Sequence, residues 1–106
     1  MFCYELEERR NKPPTLKIVC TNGVSGEVYD LTGCRVTLIW KSVRTGEINE
    51  RPGIIWGNPK DGTVLYHFAG GEIESPVMDL EVLIEDAATN AFSMLQIIRL
   101  TPLKRP

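Results

Sequence analysis

The chain has one histidine, His67. A catalytic triad or a histidine-based metal site needs converging partners around the imidazole, and no second histidine exists to help. A Gly-x-x-x-x-Gly-Lys phosphate loop is absent. Ser25, Ser42, Ser75 and Ser93 stand in no Gly-x-Ser-x-Gly turn, the usual seat of an activated serine. Cysteine is scarce: Cys3, Cys20 and Cys34 form no Cys-x-x-Cys, and an odd number cannot all pair within the chain. Reduced thiols, with Cys20 and Cys34 buried as small apolar residues, are one reading. A Cys20–Cys34 bridge is the other, and it requires facing Cβ atoms. No apolar run approaches the roughly 20 residues that span a bilayer. The opening Met-Phe-Cys-Tyr-Glu-Leu-Glu-Glu is acidic where a secretory signal is basic, so synthesis and folding in a reducing cytoplasm are expected. Strong charge of either sign is lacking as well. A net charge of −2 and a pI near 5.4 give no global attraction to nucleic acid or anionic membrane.

What is present is ordinary globular material. The 106 residues are 42% hydrophobic and 25% charged. Such values suit one folded domain with its own core. The segment 1–14 differs from the rest. It is charge-dense (Glu5, Glu7, Glu8, Arg9, Arg10, Lys12) and ends at Pro13-Pro14, which cannot continue a helix. It reads as an N-terminal arm, either frayed or docked on a neighbour, with Phe2, Tyr4 and Leu6 alternating on one side.

From Thr15 the period is two. Leu16, Ile18 and Cys20 form one face, and Cys34, Val36, Leu38 and Trp40 form the clearest core face of the chain. Leu31-Thr32-Gly33 closes a turn that calls for glycine, and Thr45-Gly46 reads as a hairpin tip. Residues 47–57 are irregular. Pro52-Gly53 interrupts them and removes a ladder donor, which predicts an edge or a bulge. Asn58-Pro59-Lys60-Asp61-Gly62 is a turn by its chemistry. Val64, Tyr66 and Phe68 share a face, with His67 on the opposite one. Ala69 to Pro76 reads as a glycine-rich loop. Met78, Leu80, Val82 and Ile84 face inward. The last strand, 91–100, turns either Phe92/Met94/Ile98/Leu100 or Leu95/Ile97 inward, with a bulge or a second buried face as the reason for the ambiguity. Residues 102–106 are an exposed tail. About seven short strands separated by regular turns predict a sandwich or small barrel.

The carboxylates Asp79, Glu81 and Glu85 alternate along one strand. General acid–base work needs two such groups across a pocket, so this row reads as a solvated face with cross-strand partners such as Arg35 or Lys41. Glu85-Asp86 beside Asn90 matches no EF-hand spacing. Trp40 reads as core, and Trp56, beside Gly57, fits either core or surface.

The order Asp30-Leu31-Thr32-Gly33-Cys34-Arg35-Val36-Thr37-Leu38, Thr45-Gly46-Glu47, Asp61-Gly62-Thr63-Val64-Leu65-Tyr66-His67-Phe68 and Asp79-Leu80-Glu81-Val82 resembles the immunoglobulin-like N-terminal domain of phage baseplate upper proteins and related tail and fibre-attachment domains. In that family a Leu-Thr-Gly-x-x-Val turn-and-strand, a Gly-x-Val-x-Tyr-x-Phe strand and a Glu-rich strand follow in this order. The resemblance covers about residues 15–101. It implies an all-β, immunoglobulin-like antiparallel β-sandwich and a virion setting. Baseplate upper proteins carry long extensions after this domain and this chain ends, so a neck, head or tail-attachment position fits equally.

The resulting expectation is a non-enzymatic phage virion structural protein acting by protein–protein contacts. Its partners would be other virion proteins and further copies of itself, without membrane, nucleic acid, metal or cofactor. The candidate interface residues are Phe2, Tyr4, Leu6, Arg9, Arg10, Trp56, Gly70, Gly71 and Ile73. The alternative is a carbohydrate or host-surface binding module, using Trp56 and Tyr29.

Overall fold

Every-other-residue burial along each strand generates two sheets that face each other. The computed structural model describes residues 3–9, 12–21, 25–73, 78–89 and 92–100. They contain eight strands: β1 (Cys3–Arg9), β2 (Lys12–Val19), β3 (Cys34–Lys41), β4 (Ile48–Pro52), β5 (Ile54–Ile55), β6 (Thr63–His67), β7 (Met78–Asp86) and β8 (Phe92–Leu100). A single 3-10 turn, Pro59–Asp61, precedes β6. All strand pairs are antiparallel, and they form two four-stranded sheets, β1-β2-β6-β5 and β4-β3-β7-β8. The protein is an all-β sandwich.

The inner faces supply the core as the alternation predicts. Leu16, Ile18, Val64, Tyr66 and Phe68 come from the first sheet, and Val36, Leu38, Trp40, Leu80, Val82, Ile84 and Ile98 from the second. Trp40, Tyr66 and Phe68 meet edge to face at one end of this layer, with centroids between 5.1 Å and 6.1 Å apart. This is the arrangement that the ring quadrupoles favour. In β8 the ambiguity resolves around a bulge. The pairing shifts between Ile84 and Glu85, so that Ile84 pairs with Met94 while Glu85 pairs with Phe92, and Ser93 is the extra residue. Beyond it Ile98 is buried and Ile97 is exposed.

Two segments differ from the sequence reading. Cys3–Arg9, read as part of an arm, is a strand of the sandwich, paired with β2 from Cys3↔Val19 to Arg9↔Lys12. The register changes between Glu7 and Arg9, which sets Pro13 and Pro14 opposite Glu8. The prolines therefore occupy a bulge, where a missing N–H costs little, instead of closing an arm. Pro14 still contributes its carbonyl, which accepts from the Phe68 N–H at 3.2 Å.

The second difference lies at Pro52-Gly53. The expected edge is present, but the segment changes sheets there. β4 pairs with β3 on one side of the core, and β5 pairs with β6 on the other. Gly53 passes between the layers, its N–H donating to the Val36 carbonyl at 2.9 Å. A Cβ at this position would lie 2.7 Å from Val64 Cγ1 and 3.2 Å from Val36 Cγ1, one valine from each sheet.

Cys20 and Cys34 are both free thiols. Cys20 is fully buried, and burial pushes its pKa up to about 12 from 9.0. Cys34 is half-buried and also raised, first by burial and then by the Asp86 and Asp30 carboxylates. Cys3 is exposed. Reaction with a thiol reagent at neutral pH is expected to modify Cys3 first, Cys34 more slowly, and Cys20 only on unfolding, because the thiolate is the reactive form. The raised Cys20 pKa contributes stability that is complete below pH 9.0 and is lost as the pH climbs toward about 12. Alkaline urea titrations of the natural chain and of Cys20→Ala check this: the variant should lose less stability over that range.

Candidate contact surfaces

The outer face of the β4-β3-β7-β8 sheet is ordered by cross-strand register. One row runs Glu50–Ile39–Glu81–Ile97, and Ile48 lies opposite Lys41. Ile39, Lys41, Ile48, Asp79, Glu81 and Ile97 line a shallow groove. Charged pairs flank the apolar residues. Arg99 Nε donates to Asp79 at 2.8 Å, holding that carboxyl below its ordinary range and raising the guanidinium in turn. Arg35 meets Glu85 at 3.4 Å, one of the cross-strand partners the carboxylate row predicts. Both pairs are solvated and contribute little to stability.

The outer face of the β1-β2-β6-β5 sheet carries the row Glu5–Lys17–Leu65–Ile54. Trp56 lies just beyond β5, and its N–H donates to the Thr63 carbonyl at 2.9 Å. Ile54 is 47% exposed and Trp56 59%. His67 lies on this face, as expected from its place opposite the core residues, with Nδ1 2.8 Å from the Thr15 hydroxyl. Asp86 works within its own turn, its carboxylate accepting from the Ala88 and Thr89 N–H groups.

At one end of the sandwich a carboxylate ties the two sheets together. Glu72, in the loop after β6, accepts from the Tyr66 hydroxyl at 2.7 Å, from the Ala69 N–H at 2.7 Å and from Arg51 Nε at 3.0 Å. Tyr66 belongs to the first sheet and Arg51 to the second. The Arg51 guanidinium also lies 5.8 Å from the centre of the Trp40 ring. That separation is within cation–π reach. Burial, and then the Glu72 carboxylate, raise the Tyr66 pKa.

The expected interface residues scatter when placed on this frame. Trp56 is exposed, as a contact residue must be. Gly70 and Gly71 are exposed in the turn before Glu72. Tyr4 and Leu6 do share a face, but it is the inner one, where both pack half-buried against the protein's own core. Ile73 is likewise half-buried against that core. Arg9 pairs with Lys12 at the end of the first hairpin. Phe2 and Arg10 lie outside the described residues. Tyr29 is half-buried and packs partly against the core. Sequence reasoning offered the irregular strand 47–57 as a contact region but did not single out Ile48 or Ile54, and it did not name Ile97; they are 61%, 47% and 59% exposed. In β4 Ile48 sits outward while Asn49 and Arg51 are half-buried, whereas in β5 Ile54 faces solvent and Ile55 the core. The polarity of β4 is the reverse of an ordinary half-buried strand. No family model, curated protein or solved structure matches the chain.

Proposed function

We propose that this chain is a non-enzymatic structural protein of a phage virion, an immunoglobulin-like module of baseplate, tail, neck or fibre attachment that works by protein–protein contact. The observation that carries the contact reading is that Ile48, Ile54 and Trp56 are left in solvent at the sheet edges, while the other face of the same stretch, with Ile55, turns to the core. Ile54 and Trp56 stand at the edge of one sheet and Ile48 at the edge of the other, and exposed large apolar side chains at such places mark interaction sites. The immunoglobulin-like reading draws on strand order. Labelling β1 to β8 as A, B, C, C′, D, E, F and G gives sheets ABED and C′CFG, with buried Trp40 on strand C. The virion setting draws on the turn-and-strand resemblance over residues 15–101.

The test is incorporation. An antibody to the chain should detect it in purified particles from the natural host at a fixed copy number. Replacing Ile54 and Trp56 by serine should remove it from particles while leaving the melting temperature within a few degrees. A chain found only in the soluble fraction of the lysate would refute the reading. Glycan binding is the second reading, favoured by exposed Trp56; a glycan-dependent emission change that is lost in Trp56→Phe, with buried Trp40 retained, would support it.

A further inference from the structure

Among the described residues the sandwich has four strand edges, and they are protected unequally. An edge presents a row of unpaired N–H and C=O groups, and folded proteins guard it with charge, proline, bulges or brevity. β1 carries the exposed carboxylates Glu5 and Glu7 and a bulge at its end. β4 is five residues long, bears Glu50 and ends in Pro52. β5 is two residues long. β8 has none of these guards along most of its length. It is nine residues, Phe-Ser-Met-Leu-Gln-Ile-Ile-Arg-Leu, with a single charged residue. That residue, Arg99, is matched by Asp79 on the neighbouring strand. Among the described residues β8 has one hydrogen-bonded neighbour, β7, and its bulge lies at the far end, leaving Met94 to Leu100 regular.

We propose that two copies of the chain join antiparallel along β8 about a two-fold axis, merging their four-stranded sheets into one continuous sheet. The proposal rests on the contact reading above and gives it a defined partner, a second copy. An edge of backbone donors and acceptors is completed by an extended strand. Charge selects which strand. β8 set against itself brings no unmatched like charges together, because each Arg99 has its own Asp79, whereas β1 set against itself would oppose glutamates. A two-fold also makes the contact self-complementary and closed, so that it ends at a dimer. Exposed Ile97 ends the Glu50–Ile39–Glu81–Ile97 row on the outer face, and the two-fold sets two such rows end to end, with the two Ile97 side chains near the seam.

Sedimentation equilibrium of the full chain tests this. The mass should rise with concentration from 11.9 kDa toward twice that value. Ile97→Lys adds a charge at an already exposed site, so it should keep the melting temperature and circular dichroism of the natural chain. It should raise the dimer dissociation constant about tenfold or more. In hydrogen exchange, β8 amides should gain protection with concentration, and β1 amides should not. A chain that stays monomeric at the highest soluble concentration overturns the proposal, and a strand from a different protein would then be the occupant of the edge. A dimer that survives Ile97→Lys without β8 protection overturns it too. A monomeric chain still found in particles would sink the β8 dimer and leave the contact reading standing; a β8 dimer absent from particles would do the reverse.

Discussion

Gly62→Ala should lower stability by about 3 kcal/mol or more, enough to drop the melting temperature of a domain this size by on the order of 15 °C. Gly62 ends the 3-10 turn at φ +65, where an L side chain is strained. It is also buried where three chain segments meet. Its N–H donates to the Pro59 carbonyl at 3.2 Å, its carbonyl accepts from Cys20 at 2.8 Å, and the Cys20 carbonyl in turn accepts from Tyr29 at 2.8 Å. A Cβ would stand 2.9 Å from both the Cys20 and Tyr29 carbonyl oxygens. These are backbone atoms, so relief requires breaking the ladder itself. The control is Gly33→Ala. Gly33 has φ +72 but nothing within 4 Å of a new Cβ. Only the conformational strain of about 1 kcal/mol then applies. Thermal melts of the two variants separate crowding from strain. Equal losses would show that the contact with the two carbonyls is unimportant.

The second large effect is expected at Glu72. Glu72→Ala leaves the Tyr66 hydroxyl, the Ala69 N–H and Arg51 without their shared acceptor. The Glu72 side chain is 12% exposed, so water replaces it poorly. Hydrogen bonds to a charged group contribute about 1.5–3 kcal/mol, which sets the expected loss at about 2–4 kcal/mol for the cluster. Glu72→Gln keeps an acceptor but loses the ion pair, and should recover about half of it. Tyr66→Phe should cost about 1 kcal/mol, since Glu72 keeps its other two donors. Urea midpoints at constant m-value give these numbers, and a Tyr66/Glu72 double-mutant cycle isolates the coupling. A Glu72→Ala loss below about 1 kcal/mol, the contribution of one ordinary hydrogen bond, would mean that the two sheets are held at this end by packing alone. The pH response has a definite sign. The Tyr66 pKa is raised in the folded state, so its contribution is complete below pH 10.0 and declines at higher pH. Tyr66→Phe should flatten that alkaline decline.

Much of the fold was legible because most strands bury one face only. The runs 16/18/20, 36/38/40, 64/66/68 and 80/82/84 announce their inner faces by simple alternation, and all of these residues are buried. Gly33 and Gly62 were legible from turn chemistry. The first strand was harder to see. The common face of Tyr4 and Leu6 was readable, but what covers it depends on pairing with β2, which the charges and Pro13-Pro14 obscured. The sheet change at Gly53 was hidden because it leaves the residue period intact while exchanging the sheet that the segment belongs to. The Glu72 cluster joins residues from a loop and two sheets, and no local pattern encodes such a meeting. The contact surface was least legible, since an outward isoleucine and an inward one have the same letter. Only the half-buried Asn49 and Arg51 beside Ile48 distinguish them.

The crossover at Gly53 carries a practical lesson for anyone mapping where this protein touches others. Ile48 and Ile54 are close along the chain, yet each lies on the solvent side of a different sheet, so they look out in opposite directions. A peptide scan or a block substitution over this stretch would merge two unrelated footprints into one apparent epitope. Single replacements, scored separately on each side, would keep them apart.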